Sequence, residues 1–285
     1  MNVGTIEVEP QTEHELVNLP AGFDYRPTLD KAQRLASNYA IIFVINGKVF
    51  GSGMLITLKG VHGILTAHHV AILPYGKEEG AFSLCICNAI HRVPVRTTAQ
   101  LQHIVLGDSK KNRFEHTGPD LSFLMITDPE LLSTLKARKS FYPLIKRADI
   151  AKYPEYQLRK LLWTISGSPK EFSQEHGMYK GEKLTKASDF HVSADFRSLK
   201  QKKGFDYFRF EVDSGINGCP KGYGGVSGGG IWLLTSKTMT NGQISYGPML
   251  QGVVFYESRP YQNETKRILI GHGPDSIYNC LIREL

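Results

Sequence analysis

Three short segments carry residue types able to do nucleophilic chemistry together. Gly63-Ile64-Leu65-Thr66-Ala67-His68-His69-Val70 ends an apolar run on two adjacent histidines, Pro119-Asp120-Leu121-Ser122-Phe123-Leu124 opens another apolar run on a carboxylate, and Gly224-Gly225-Val226-Ser227-Gly228-Gly229-Gly230 sets a serine among glycines. A serine hydroxyl is a poor nucleophile at neutral pH. It needs an adjacent base, and the base needs a group that fixes its tautomer and stabilises the imidazolium it becomes. Glycines beside the serine let the backbone approach a substrate closely and turn N–H groups toward one point, as a developing oxyanion demands. Taken singly, each segment has a plainer reading: a flexible turn, a structural histidine, an aspartate opening a strand after Pro119. A phosphate loop does not fit, because the glycine run lacks a Lys-Ser/Thr ending. In the chain order His, Asp, Ser they point together to acyl transfer.

The texture of the chain says that strands hold these residues. From Tyr39 onward, short β-branched and aromatic runs are punctuated by Gly, Asn and Asp, the pattern of antiparallel strands joined by turns. The runs fall at 39–45, 49–58, 63–67, 82–87, 92–97, 103–106 and 121–126, then at 161–166, 190–194, 207–212, 230–235, 248–256 and 267–270. Asn46-Gly47 between the first two is a strong hairpin signal, since both residues tolerate positive φ. Over 129–160, Leu131, Leu132, Leu135, Leu144 and Ile145 recur among Lys and Arg at helix-like spacing, broken by Pro143 and Pro154, which reads as a connector with short helices. The expected fold is all-β, with two antiparallel barrels around a connector: an acidic leader over 1–38, a first barrel over 39–130, the connector over 131–160 and a second barrel over 161–285.

The chain has 285 residues, 41% hydrophobic and 21% charged, enough to bury one large or two modest cores and unlike a disordered or collagenous chain. No run approaches the roughly 18 uninterrupted apolar residues of a membrane helix, and the first ten residues lack the blocks of a secretory signal, so a cytoplasmic location is expected. Four cysteines do not make a disulfide scaffold, and reduced thiols are expected throughout. Cys85-x-Cys87 with His91 has no second ligand pair, so no metal is expected. The net charge is +7, yet the first 30 residues hold six acids against Arg26 alone, so an acidic leader precedes a basic body. The basic residues cluster at 110–113, 136–147 and 200–203, which suits solvated loops better than nucleic-acid recognition, because no RNA-binding, zinc-finger or recognition-helix pattern accompanies them.

Together with Gly51-Ser52-Gly53-Met54-Leu55-Ile56 upstream, the three segments resemble the trypsin and chymotrypsin-like serine peptidases, over roughly residues 39 to 280. In that family the base ends a strand reading T-A-A-H, the carboxylate opens a D-x-A-L-L-like strand and the nucleophile lies in G-x-S-G-G. The resemblance implies two six-stranded antiparallel barrels with the site in the cleft between them, His69 as general base, Asp120 as orienting carboxylate, Ser227 as nucleophile, and the amides of Gly225 and Ser227 as oxyanion hole. It selects His69 over His68, since neighbouring side chains on an extended segment face opposite ways, and it leaves His68 in need of its own partner. Asp108 is the weaker carboxylate, because no apolar strand follows it.

The departures are informative. The digestive members carry an Asp before the nucleophile, which receives the amino terminus freed by activation cleavage. Val226 stands there, so activation by that route is not expected. Val70 replaces a disulfide-forming Cys, so the chain looks more like bacterial and viral trypsin-fold enzymes. By similarity the primary pocket is built from Cys219 to Gly224, from Phe255, Tyr256 and Glu257, and from the run Ile270-Gly271-His272-Gly273. Lys221 and His272 pointing inward would favour an acidic or amide side chain, Glu257 a basic one, and charges paired to each other an aromatic-walled pocket. The expected function is a serine endopeptidase acting on protein or peptide, without cofactor, membrane or obligatory nucleic acid, and restrained by a regulatory partner or its own N-terminal segment. A catalytically silent binding module using the basic patches is the alternative. An α/β-hydrolase fails on chain order, which there runs Ser, Asp, His.

Overall fold

Two-residue turns set the strand register. Asn46 and Gly47 take φ of 48° and 74°, and Lys59-Gly60 and Lys203-Gly204 repeat the device at 49°, 82° and 52°, 78°. Paired left-handed residues give a turn whose twist matches that of the flanking strands. The computed structural model of the chain describes residues 15–16, 26–72, 82–86, 92–94, 100–107, 119–144, 154–179, 182–238, 241, 244–258 and 265–285. Asp108, the basic clusters at 110–113 and 145–147, Cys87 and His91 lie outside the described residues.

The chain enters through Glu15–Leu16 (β1) and helix α1 (Arg26–Ser37). The first sheet then takes β2 (Ala40–Ile45), β3 (Lys48–Leu58), β4 (Val61–Thr66), β5 (Phe82–Ile86), β6 (Arg92–Pro94), β7 (Leu101–Gly107) and β8 (Leu121–Ile126), with α2 (His68–Ala71) after β4. Its order is β6-β5-β2-β3-β4-β8-β7, antiparallel along this path. Helix α3 (Pro129–Lys136) follows, opened by the Asp128 carboxylate, which accepts the Leu131 amide at 2.6 Å, and by a proline at its first turn. After β9 (Tyr142–Pro143), which lies parallel on β3, comes the short α4 (Glu155–Leu158).

The second sheet is built from β10 (Trp163–Gly167), β13 (Phe190–Lys202), β14 (Phe205–Asp213), β15 (Gly230–Thr238), β16 (Ile244–Ser258) and β17 (Lys266–His272). Its path β15-β10-β13-β14-β17-β16 returns from β16 to β15, closing a six-stranded barrel. The hairpin β11 (Gln174–Tyr179) and β12 (Glu182–Lys186) stands apart, and helix α5 (Leu281–Glu284) ends the chain after a π-turn over Asp275–Cys280. The expected all-β, trypsin-like double-barrel fold is the observed one. In the first sheet no strand pair closes the ring among the described residues.

Burial explains the strand texture. In β13, Val192, Ala194 and Phe196 are buried while Ser193, Asp195 and Arg197 are exposed, the period-2 pattern of a strand with one wet face. In β2 all six residues are buried: Ile41, Phe43 and Ile45 fill the first barrel, while Ile42 and Val44 meet Val49, Cys85 and Ala187 on the outer face. The two halves join over a third core that includes Met54, Ile56, Trp232, Leu250 and Tyr278, where Trp232 lies 5.5 Å from Tyr142 and its indole N–H donates to Ser166 Oγ at 2.9 Å.

Residues 26–37 of the leader form helix α1, which docks by apolar contact rather than by charge. Helix α1 buries Leu29, Ala32 and Ala36; Ala32 sits on Leu234 beside Leu162 and Tyr246. Its C-terminal half is bolted at three points: Ser37 Oγ lies 2.8 Å from His191 Nε2, Lys139 Nζ donates to the Ser37 carbonyl at 2.6 Å, and Gln33 Nε2 donates to Thr164 Oγ1 at 3.4 Å. The sequence missed this helix because its apolar positions are few and small. Cys85, Cys219 and Cys280 are free thiols.

Candidate active site

His68 and His69 are delivered by the turn that ends β4. Ala67 is extended, and from it the chain closes one helical turn, with Val70 and Ala71 donating to the Ala67 carbonyl and burying their side chains in the first core. Successive residues of such a turn point about 100° apart, so the two histidines diverge. His68 turns inward, where its Nδ1 lies 2.8 Å from Ser122 Oγ and its ring stacks at 5.3 Å on His103, which reaches the same hydroxyl at 2.9 Å. His69 turns outward and keeps 45% of its side chain exposed. The divergence was expected from an extended segment; a helical turn produces it instead.

Asp120 holds His69 twice. Its Oδ2 lies 2.6 Å from His69 Nδ1, and its Oδ1 accepts the His69 backbone N–H at 2.9 Å. Nδ1 is thereby the protonated nitrogen of the neutral ring, which leaves the Nε2 lone pair free. The carboxylate is only 5% exposed. Burial pushes its pKa up, but hydrogen bonds from the His69 ring and amide and the attraction of His69 and His272 outweigh it, so the carboxyl lies below its ordinary value.

Behind Asp120 stands His272, and here the sequence expectation is corrected. His272 was expected among the residues of the substrate pocket; it is fully buried, stacked at 4.6 Å on Phe255, and its Nε2 accepts the Asp120 backbone N–H at 2.9 Å. Only an unprotonated Nε2 can accept, and burial pulls the His272 pKa down to about 4 against the attraction of Asp120. Its role is to hold the backbone of the carboxylate from the other barrel. Phe255 is likewise a core side chain, 2% exposed, and not a free pocket wall.

Ser227 lies on the loop between β14 and β15, half-buried, with its hydroxyl 3.4 Å from the Phe255 carbonyl. Gly225 has φ 98°, and a Cβ there would meet the Ser168 carbonyl at 2.6 Å; Gly228 has φ 87°, and a Cβ would come within 1.8 Å of the Ser52 carbonyl. No other residue type fits either place. The peptides around Ser227 are held by their carbonyls: Gly224 O accepts from Lys170 N at 2.8 Å, Val226 O from Gly229 N at 2.8 Å and Ser227 O from Ser52 N at 2.7 Å. Because N–H and C=O of a trans peptide point opposite ways, these bonds also fix where the Gly225 and Ser227 amides point. Neither amide has a hydrogen-bond partner among the described residues. Val226 itself is buried in the second core.

The remaining expected pocket residues are not arranged as a charged selector. Lys221 is exposed, with its amide on Glu171 at 2.8 Å. Glu257 is taken up by Arg267 Nε at 3.2 Å and by the Tyr223 amide at 2.9 Å, with burial raising its pKa. Its charge is therefore spent on a partner the sequence reading did not name, and Lys221 has neither Glu257 nor His272 opposite it. Tyr256 is half-buried beside Phe255. The sequence also missed Ser52, whose only signal was its place between Gly51 and Gly53.

Fold and local geometry define a trypsin-like double barrel with a histidine–aspartate pair on the first barrel and a glycine-framed serine on the second. No known protein family matches the sequence, and no curated protein is similar to it. Among solved structures, the chain is similar to the serine protease domain of the Sesbania mosaic virus polyprotein, with 12% identity over 86% of this chain and 91% of that one and a TM-score of 0.40. It is similar also to human heparin binding protein, with 12% identity over 89% and 92% and a TM-score of 0.44, and to Deg5, with 13% identity over 86% and 90% and a TM-score of 0.41. Among the described residues no group of three or more metal-ligating side chains occurs, and no helix is long and apolar enough to cross a membrane.

Proposed function

We propose that this protein is a serine endopeptidase in which Ser227 is acylated, His69 is the general base and Asp120 orients it. The observation that carries the reading is the doubly held His69–Asp120 pair, with Nδ1 at 2.6 Å from a buried carboxylate and Nε2 left free on an exposed ring. In the forward step Ser227 Oγ gives up its contact with the Phe255 carbonyl and passes its proton to His69 Nε2 as Oγ bonds to the substrate carbonyl carbon. The imidazolium is stabilised by Asp120, and the carbonyl oxygen, now an oxyanion, takes the amides of Gly225 and Ser227. His69 then returns the proton to the departing amine, and water repeats the cycle to free Ser227. The substrate is a protein or peptide, and the charge at Glu257 does not select it.

A fluorophosphonate probe tests the reading directly, since only an activated serine reacts appreciably. Ser227 should be the modified residue by peptide mapping, and Ser227→Ala and His69→Ala should each lose labelling and turnover by roughly 10⁶, a magnitude borrowed from well-studied serine peptidases. His68→Ala should retain far more activity than His69→Ala. Failure of the intact chain to label sinks the proposal.

A further inference from the structure

We propose that Ser52 is a positioning residue for the oxyanion donors: its hydroxyl, carried on β3 of the first barrel, holds the Gly225 carbonyl of the second and so sets the loop in front of Ser227. The inference rests on the peptidase reading above. Ser52 is 2% exposed and all of its polar groups are engaged. Its N–H donates to the Ser227 carbonyl at 2.7 Å, its carbonyl accepts from Thr66 Oγ1 at 2.7 Å, and its Oγ accepts the Ser168 N–H at 2.9 Å while donating to the Gly225 carbonyl at 2.9 Å. Since Ser168 brings its own proton, the one hydroxyl proton of Ser52 is committed to Gly225.

That proton sits at a place of leverage. The peptides 224–225 and 226–227 carry the two oxyanion amides, and their carbonyls are held by backbone donors that no side-chain change deletes, Lys170 N and Gly229 N. The peptide between them, 225–226, is held at its N–H by the Tyr223 carbonyl at 3.0 Å and at its carbonyl by the Ser52 hydroxyl. Glycine at 225, already at φ 98°, offers little resistance of its own to turning that peptide over. Nor can position 226 hold the loop by an ion pair, because it is a buried valine. Beside the backbone bond from Ser52 N–H to the Ser227 carbonyl, the Ser52 hydroxyl is therefore the side-chain tie that holds peptide 225–226 to the first barrel, the barrel that also carries His69 and Asp120.

The test compares Ser52→Ala with the wild type and with Thr235→Val, a buried hydroxyl loss elsewhere in the second barrel that serves as a stability control. In Ser52→Ala, kcat should fall roughly 10- to 100-fold with KM within about threefold, since donors aimed at developing charge act on the transition state. Affinity for a peptide boronate, which forms a tetrahedral adduct on the serine, should fall by the same factor, while the acid limb of the pH profile stays where the wild type has it. Hydrogen exchange of the segment 223–229 should quicken with the rest of the chain unchanged. Ser52→Cys, with the same shape and a weaker donor, should lie between, and it carries the test should the alanine variant not fold. The proposal is overturned if kcat and boronate affinity stay within twofold of wild type, if they fall no further than in Thr235→Val, or if the loop exchanges at the wild-type rate. A wild-type chain that neither turns over nor labels overturns the peptidase reading and this inference together; an active wild type matched by Ser52→Ala overturns this inference alone.

Discussion

At the scale of single residues, the two histidines that contact Asp120 are held in opposite ways. His69 donates to the carboxylate and stays near solvent, whereas His272 accepts from the backbone and is fully buried. Asp120→Asn removes the acceptor that keeps the proton on His69 Nδ1, so kcat should drop by about 10⁴ in a steady-state assay, the size seen when an orienting aspartate is made neutral elsewhere. His272 supplies an acid sensitivity. With its folded pKa near 4 and an unfolded value near 6.5, the unfolded chain binds the extra proton, so stability is full above about 6.5 and declines as pH falls toward about 4. Asp120, whose pKa is lowered, adds a further loss below its unfolded value near 3.9. Urea titrations at pH 7, 5.5 and 4.5 should show a loss on the order of a few kcal/mol in the wild type and a smaller one in His272→Gln, whose side-chain carbonyl can accept the Asp120 amide without titrating. An equal pH slope in both would remove His272 from that role.

Among the elements, α1 changes the expectation for the leader. A solvated or merely restraining leader would be dispensable for the fold, so that removing residues 1–30 would cost no stability. The cut falls inside Arg26–Ser37 and takes away Leu29, which is 7% exposed, while a cut after residue 38 also uncovers Leu234 and frees His191 from Ser37. Starting the chain at Tyr39 should lower the melting temperature by several degrees in a calorimeter, and by more than truncation before Arg26, which among the described residues removes only the two-residue pairing of β1 with β15. Ala32→Asp should reproduce part of that loss in the full chain, because it places a charge against Leu234 without a partner.

At the scale of the whole molecule, the proposed site draws on both barrels. The pair His69–Asp120 comes with the first sheet, Ser227 with the second, and the contacts that unite them are Ser52 to Ser227, Ser52 to Gly225 and His272 to Asp120. The third core, centred on Trp232, keeps those contacts in register. Trp232→Ala should therefore cost roughly 3–5 kcal/mol in urea unfolding and lower kcat, although no atom of Trp232 belongs to the proposed chemistry. A variant that loses the stability and keeps the wild-type kcat would show that the barrels hold their register without this core.

The sequence alone determined what depends on neighbours a few positions apart. Alternation of apolar residues marked the strands, Asn46-Gly47 marked a turn that takes the left-handed angles it requires, and glycines marked the loop where Gly225 and Gly228 have no room for a Cβ. Tertiary structure decided which side chains meet across long separations. Ser52 and Gly225 are 173 positions apart, Ser37 and His191 154, Asp120 and His272 152. No local period encodes such pairs, because each depends on how two closed surfaces pack and on where burial makes a polar group find a partner. For that reason the resemblance could only group His272, Lys221 and Glu257 as candidates for one pocket, and only the packed molecule sent the first to the back of Asp120, the second to solvent and the third to Arg267.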